Sequence, residues 1–178
     1  DFDTSLNNTI RWYFENKICL IGDAAHGIVP FLGQGTNVGL EDCIEFIDLL
    51  DSSQNWEELF KIYFERRKPN SDAIALMSEQ NYAEMAEKVG SEKFLQKKKI
   101  ERFLSEKLPT KFHSKYSLVV YSSVPYFVAL QVGDVQNVLL DELNDSFTSF
   151  DAINLVAIEE RLDKEVIPLY GESYSLLK

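Results

Sequence analysis

The pattern of apolar and polar positions is most informative between residues 18 and 50. Four apolar or small residues, Ile18–Ile21, end at Gly22, and such a run predicts a short strand covered on both faces. Further along, apolar residues recur at spacings that approximate one helical face, namely Val38, Ile44, Ile47 and Leu50. The pattern therefore predicts a buried strand, a tight turn, a loop and then a helix.

Helical periodicity is clearest after residue 55. Apolar positions at i, i+3, i+4, i+7 and i+8 predict a helix from Trp56 to about Arg67. We expect Asn55 or Ser53 to cap this helix. We expect it to end before Pro69, because the residue that precedes a proline disfavours helical geometry.

The remainder of the chain also favours helices. A third helix is expected from residues 71 or 72 to about Lys88, with Gly90 as its stop. A fourth is expected over 91–108, while Tyr116–Tyr121 is ambiguous between a strand and an extended loop. Residues 126 to about 143 and 147 to about 167 look helical, and the last of these segments carries an acidic exposed face.

Composition narrows the class of protein and of partner. The chain has 178 residues, of which 45 % are hydrophobic, so it is globular and long enough for a sizeable core. Its net charge of −11 argues against nucleic acid or an anionic membrane surface as a partner. We interpret Cys19 and Cys43 as reduced core residues of a cytosolic protein.

Candidate chemistry lies directly after the predicted strand. Gly22 permits a tight turn, and Asp23 then occupies the carboxyl end of the strand, the edge at which open α/β sheets bind ligands. Pro30 stiffens the following loop, while Gly33 and Gly35 let a flat ligand approach the backbone. The helix start exposes unpaired N–H groups, so these features make half of a nucleotide-cofactor site. The alternative is an ordinary strand–turn–helix connection.

Other chemistries find little support in the residues. His26 and His113 lie far apart and have no Cys or acidic partners at ligand spacing, which argues against a metal site. We expect His26 to be structural, near the turn, rather than a general base. No residue is assigned a catalytic role.

One combination of motifs carries a family resemblance. Gly-Asp-Ala-Ala-His at 22–26, Pro30, Gly-Gln-Gly-x-Asn at 33–37 and Glu-Asp-Cys at 41–43 resemble the second flavin-binding motif of FAD-dependent aromatic hydroxylases. Within that family the chain looks most like the kynurenine 3-monooxygenases. Later stretches follow that group in the same order, at 81–85, 94–98, 101–104 and 116–119.

The resemblance implies a fold and a domain division. Residues 1–68 would be the carboxyl-terminal part of an FAD-binding domain, an α/β flavin-binding region. Residues 69–178 would form a mainly α-helical region that caps the substrate. Because the chain begins with Asp1 and lacks a glycine-rich phosphate loop, we expect it to be the carboxyl-terminal part of a longer protein. The N-terminal part of that protein would be its partner, and the piece alone would be inactive.

The resemblance also implies cofactor contacts. Asp23 would accept hydrogen bonds from the ribityl chain of FAD, and Pro30 would line one face of the flavin ring. Backbone N–H groups near Gly35, Thr36 and Asn37 would face the pyrimidine side of the ring. The family usually has methionine at position 36, so Thr36 keeps the backbone contact and changes the side chain.

Two residues match the family's substrate contacts. Asn81 would bind the amino-acid end of the substrate, and the Tyr116 hydroxyl would reach its carboxylate. From the pattern alone, Asn81 is instead a core asparagine bonded to backbone, and Tyr116 is half-buried with a hydrated hydroxyl. The family's Ile-Pro-Leu-Tyr is replaced here by a different stretch, 112–116.

The resemblance implies an enzyme that hydroxylates L-kynurenine to 3-hydroxykynurenine with NADPH and O2, in tryptophan degradation and NAD biosynthesis. The alternatives are a related flavin hydroxylase with another aromatic substrate, or a non-catalytic helical binding module. Membrane-bound relatives carry a transmembrane tail where this chain has acidic helices. We therefore expect a cytoplasmic protein, or one at the mitochondrial outer membrane if it belongs to an anchored eukaryotic form.

Overall fold

The structure is a computed structural model that describes residues 11–53, 55–88 and 90–177. The chain divides into two compact units, one ending at Tyr82 and the other beginning at Ala83. The domain boundary expected after residue 68 falls inside a continuous helix, α2 (Trp56–Ala83). The assignment of a cofactor domain and a substrate domain stays a prediction.

The first unit opens with a small antiparallel hairpin. Strand β1 (Tyr13–Phe14) pairs with β2 (Ile18–Cys19) in the register Tyr13↔Cys19 and Phe14↔Ile18. The expectation of a strand covered on both faces is wrong, since Ile18 is 55 % exposed. The physical reason is that β2 lies at the edge of a two-stranded hairpin in the described residues, and the face that carries Ile18 stays open to solvent.

Helix α1 (Gly35–Ser52) turns a different face inward from the one expected. Val38, Asp42 and Leu49 are its buried residues, and Phe46 packs against the core beside them. These positions are spaced four, four and three apart, so they form one stripe. The expected partners of Val38, which are Ile44, Ile47 and Leu50, are all exposed. Apolar periodicity missed the true stripe because an aspartate occupies its second position.

Helix α2 (Trp56–Ala83) begins where the capping pattern places it and continues through Pro69. The Asn55 side chain accepts a hydrogen bond from the N–H of Glu58 at 2.9 Å, which confirms the predicted cap. The predicted break at Pro69 is wrong. Pro69 is exposed, and buried Ser71 and Ile74 on the far side keep the helix attached to the core, which offsets the missing N–H.

Half of the buried residues in the core of the first unit are aromatic. Phe64 packs against it, and its six buried members are Trp12, Ala25, Leu49, Leu59, Phe60 and Tyr63. The hairpin, α1 and α2 each supply residues to this cluster or to its margin. The core therefore holds the beginning of the segment between β2 and α1, through Leu20, Ile21 and Ala25.

The second unit is helical in its described part. It contains α3 (Glu92–Lys107), α4 (Lys115–Tyr121), α5 (Tyr126–Asp145), α6 (Leu155–Glu165) and α7 (Ile167–Tyr170). Helix α5 is central, with α3, α4 and α7 packed against it. A π-helical segment, Glu84–Lys88, precedes this group, and a 3-10 segment, Gly171–Leu177, follows it.

Two expectations for the second unit need correction. Tyr116–Tyr121 is neither strand nor extended loop but lies in α4, whose first turn is capped by Ser114 accepting from the N–H of Ser117 at 3.1 Å. The single helix expected over 147–167 is broken into a 3-10 turn, Phe150–Ala152, and α6. Asn154 caps α6, and a cap is a start signal that interrupts a longer helix.

Two further findings bear on the cysteines and on membranes. Cys43 is exposed on α1 and Cys19 is half-buried, and both are free thiols, so the expectation of two core cysteines is wrong for Cys43. Among the described residues, no helix combines the length and the apolar character that a membrane crossing requires.

Candidate cofactor site

The acidic turn, residues 22–24, is a single turn of 3-10 helix that begins at a glycine with positive φ. Gly22 has φ +62°, which an L side chain adopts only with strain. Its carbonyl accepts hydrogen bonds from the N–H groups of Ala25 at 2.8 Å and His26 at 3.0 Å. Asp23 lies in the middle of this turn with its side chain exposed. The turn thus presents a carboxylate outward from a fixed backbone.

The glycine loop, residues 30–35, has a second constrained turn. Pro30–Leu32 form one 3-10 turn, and Gly33 follows in the left-handed region with φ +67°. A side-chain carbon built at Gly33 or Gly35 would meet no atom within 4 Å, so both glycines border open space. The loop therefore leaves room for a ligand against its backbone.

The far end of α2 anchors the same loop. The side-chain amide of Asn81 donates a hydrogen bond to the carbonyl of Phe31 at 3.0 Å. The rings of Phe31 and Tyr82 stack with centroids 4.4 Å apart. The backbone bond that the residue pattern alone predicts for Asn81 is therefore present, and its partner is the glycine loop. The prediction of a core position is wrong, because Asn81 is only half-buried.

The start of α1 offers backbone donors. Gln34 precedes the helix and gives no side-chain cap, and the first turn contains no acidic residue. The first amide with an intrahelical partner of the usual kind is Val38, which donates to the Gln34 carbonyl at 3.0 Å. The N–H groups of Gly35, Thr36 and Asn37 thus precede the first repeating bond and carry the positive end of the helix dipole.

A buried network of ion pairs and hydrogen bonds contacts the acidic turn and the start of α1. Asp42, at 0 % exposed, accepts hydrogen bonds from the Gly22 N–H at 3.0 Å and from Nε2 of His26 at 2.5 Å. Its other oxygen accepts from Nε of Arg67 at 2.7 Å. Arg67 also donates to the Val38 carbonyl at 3.3 Å and pairs with Glu41 at 3.0 Å. The network joins the acidic turn, α1 and α2.

The electrostatics of the network are mutually consistent. Burial alone would favour the neutral acid at Asp42, but hydrogen bonds from His26 and Arg67 outweigh it and lower the pKa of Asp42 below its ordinary value. Burial, together with the nearby charge of Asp42, raises the pKa of Tyr63 above its ordinary range. The same two causes raise the pKa of Cys19 to about 11. Asp42 is therefore ionised within the network.

The predicted site residues occupy both units. Asp23, Pro30, Thr36 and Asn37 are exposed in the first unit, and Gly35 is half-buried there. The acidic turn packs against α1, so the structure brings the turn of Asp23 and the helix of Thr36 and Asn37 into contact. Tyr116 belongs to the second unit, on α4, and is 54 % exposed. The individual roles of these residues stay predictions.

Sequence reasoning missed two functional candidates, Asp42 and Arg67. Asp42 stands in the quoted Glu-Asp-Cys string, but the pattern gave it no role. The signal that could have found it was its spacing of four from Val38 and seven from Leu49, which puts a carboxylate on a buried stripe. A buried acid requires a partner. His26, which was expected to be a structural residue near the turn, is one of the partners of Asp42.

The exposed acid, the open glycine loop and the uncapped amides fit a flat, hydroxyl-bearing cofactor. Comparison with protein families agrees, because a model described as "FAD binding domain" matches residues 4–78. That stretch contains the acidic turn, the glycine loop and α1. The chain is therefore part of a flavoprotein, with FAD as the cofactor that the family match supports.

Curated relatives narrow the class further. Kynurenine 3-monooxygenase of Flavobacterium johnsoniae is 47 % identical over 133 residues, which are 74 % of this chain and 30 % of that protein. The enzymes of that name from Myxococcus xanthus and Dictyostelium discoideum are 38 % and 36 % identical, over 90 % and 88 % of this chain. Over most of its length the chain is therefore similar to part of enzymes that carry the name kynurenine 3-monooxygenase.

Each of these relatives is much longer than the matched region. The chain spans about a third of their length, since it covers 30 %, 35 % and 37 % of them. The comparisons do not confirm the expected placement at the carboxyl-terminal end of such an enzyme.

Proposed function

We propose that this chain supplies the carboxylate and backbone-amide half of an FAD site in an enzyme that hydroxylates L-kynurenine with NADPH and O2. One observation carries the proposal. An exposed carboxylate, Asp23, sits on a turn that packs against a helix whose first amides have no side-chain cap. These are the two kinds of group that a flavin's ribityl hydroxyls and pyrimidine carbonyls require.

Each group has a distinct task toward the cofactor. Asp23 would hold the ribityl hydroxyls by accepting hydrogen bonds, which an exposed carboxylate on a fixed turn can do. The amides of Gly35, Thr36 and Asn37 would donate hydrogen bonds to the flavin. They and the helix dipole would stabilise negative charge on it. Pro30 would shape the loop beside the cofactor and help to exclude water.

When bound, FAD supplies the redox and oxygen-transfer chemistry, and the protein supplies binding, orientation and exclusion of water. For the substrate, Asn81 is the nearer candidate, because its amide contacts the glycine loop at Phe31. Tyr116 would contribute its hydroxyl to the substrate carboxylate, and this role rests on the resemblance.

The test uses the full-length protein, reconstituted with FAD and supplied with L-kynurenine, NADPH and oxygen. We expect 3-hydroxykynurenine to form and NADPH to be consumed in step with it. Asn81→Ala should raise KM for L-kynurenine, whereas Asn16→Ala, in the exposed hairpin turn, should leave it unchanged.

The same assay separates the alternatives. No 3-hydroxykynurenine above background, with NADPH consumed for another ring in a substrate panel, would replace L-kynurenine by a different aromatic substrate. Colourless protein that cannot be reconstituted with FAD would reject the flavoprotein proposal and favour a binding module.

A further inference from the structure

We infer that Asp42 is a positioning residue for the cofactor site, a buried carboxylate that holds the acidic turn and the first turn of α1 in the relative placement one FAD molecule needs. The inference rests on the proposed function, because it assigns to Asp42 the placement of groups that the proposed function uses. Asp42 is fully buried. It bonds directly to the acidic turn and is linked through Arg67 to the first turn of α1.

The first step concerns the acidic turn. Oδ2 of Asp42 accepts a hydrogen bond from the Gly22 N–H at 3.0 Å, one residue before Asp23. His26, two residues after the acidic turn, donates from Nε2 to the same oxygen at 2.5 Å. The carboxylate thus bonds to Gly22 and His26, which lie on either side of Asp23 in the sequence. The position of Asp23 therefore depends on that of Asp42.

The second step concerns the first turn of α1. Oδ1 of Asp42 accepts from Nε of Arg67 at 2.7 Å, and Nη2 of Arg67 donates to the Val38 carbonyl at 3.3 Å. Val38 directly follows the uncapped amides of Thr36 and Asn37. The guanidinium therefore transmits the position of the carboxylate to the helix start, and its planar fork suits two acceptors at once.

The ionic character of the Asp42–Arg67 pair has a physical reason. Buried ion pairs are often no more stabilising than well-packed apolar side chains of similar volume. Apolar residues at 42 and 67 could therefore fill the same space, but they could not hold the Gly22 N–H or the Val38 carbonyl. What the ions add is directional attachment of two backbone segments, and both segments carry predicted cofactor contacts.

The test is a double-mutant cycle for FAD affinity in the full-length protein. The variants are Asp42→Asn, Asp23→Ala and the two combined, with Asp48→Asn as the matched control because Asp48 is an exposed aspartate on the same helix. FAD is titrated into apoprotein by flavin fluorescence, at a temperature where circular dichroism shows every variant folded. The absorption spectrum of the bound flavin is recorded alongside.

The expected result is that Asp42→Asn weakens FAD binding by about tenfold, the scale of one lost hydrogen bond, and shifts the flavin spectrum. Asp23→Ala should then weaken binding much less in the Asp42→Asn background than in the wild type, because a misplaced Asp23 has less to lose. Asp48→Asn should match the wild type.

Additive effects of the two substitutions, with an unchanged flavin spectrum in Asp42→Asn, would overturn the inference and leave the proposed function intact. Wild-type protein that does not bind FAD would overturn the proposed function itself. If Asp42→Asn fails to fold, Arg67→Lys takes its place in the cycle. The lysine side chain would retain a positive charge but could not bridge Asp42 and Val38 in the same way, and the same non-additivity is expected.

Discussion

Charged side chains are buried at the centre of the first unit, whereas in the described part of the second unit ion pairs lie at the surface. Asp42 and Arg67 are 0 % and 7 % exposed and join three backbone segments. In the second unit, pairs such as Arg102–Glu106 on α3 and Lys93–Asp145 between α3 and α5 are open to water. The difference indicates that, in the first unit, a buried ion network fixes the backbone around the candidate site in addition to the apolar core. In the described part of the second unit the ion pairs add to an apolar core only from its surface.

The largest effect should come from breaking the buried pair. Arg67→Ala leaves the Asp42 carboxylate buried with one partner fewer, and such changes destabilise proteins by about 3–5 kcal/mol. Arg102→Ala, which breaks the exposed pair with Glu106, should leave the free energy of unfolding nearly unchanged. Denaturant unfolding of the full chain measures both, and equal losses would show that the two units do not differ in this respect.

Two glycines within helices, one in each unit, differ in how closely neighbouring atoms approach them. A side-chain carbon at Gly133 of α5 would lie 2.3 Å from Cε, 2.9 Å from Cγ and 3.0 Å from Cβ of Lys115 on α4. The Lys115 side chain would therefore have to change its conformation, and its Cβ would have to move by a few tenths of an ångström. Gly133→Ala should therefore destabilise the chain by about 1–3 kcal/mol.

At Gly39 of α1 the same carbon meets no atom within 4 Å. Gly39→Ala should raise the free energy of unfolding by about 0.5–1 kcal/mol, the usual gain for this change inside a helix. The two variants are compared by thermal and denaturant unfolding. Similar changes in both would contradict the close approach of α4 to α5.

The pH dependence of stability should reflect the buried acid. Because the pKa of Asp42 is lowered in the folded chain, its contribution is present above the unfolded value near 4 and is lost as pH falls through the folded value. Arg67, His26 and Glu41 are the charged or titratable groups that surround it within the network. The wild type should lose stability between about pH 5 and pH 2 more steeply than Asp42→Asn. Parallel curves would contradict an ionised Asp42.

The smallest effect is on thiol chemistry. Burial and the charge of Asp42 raise the pKa of Cys19 to about 11, so little thiolate forms there near neutral pH. Cys43 is exposed on α1 and should be modified first by a thiol reagent at about pH 8. Mass spectrometry of the modified chain identifies the site, and Cys43→Ser should remove the fast phase. Faster labelling of Cys19 would contradict its half-burial and its raised pKa.

Sequence reasoning predicted the features that depend on neighbours along the chain. The cap at Asn55 follows from a side chain that reaches an amide three residues away, and it is present. It failed where distant contacts decide the outcome. Pro69 does not end α2, because residues on both sides of it are held by the core.

The candidate site shows the same division. The acidic turn and the glycine loop were identified from residue types that only special backbone geometry requires, and Gly22 and Gly33 do have positive φ. Asp42 was missed because its partners lie 20, 16 and 25 residues away, at Gly22, His26 and Arg67. Apolar periodicity gives no weight to an acid on a buried stripe, so the face of α1 was assigned wrongly.

The central claim is that an exposed carboxylate and uncapped helix amides hold FAD. The most direct measurement is the dissociation constant of FAD for the full-length protein and for Asp23→Ala, with Asp151→Ala as an exposed aspartate control in the second unit. The account predicts tight binding by the wild type and by the control, and binding weakened by about tenfold or more in Asp23→Ala, as expected for loss of charge-assisted hydrogen bonds. Equal affinity in all three proteins would contradict it.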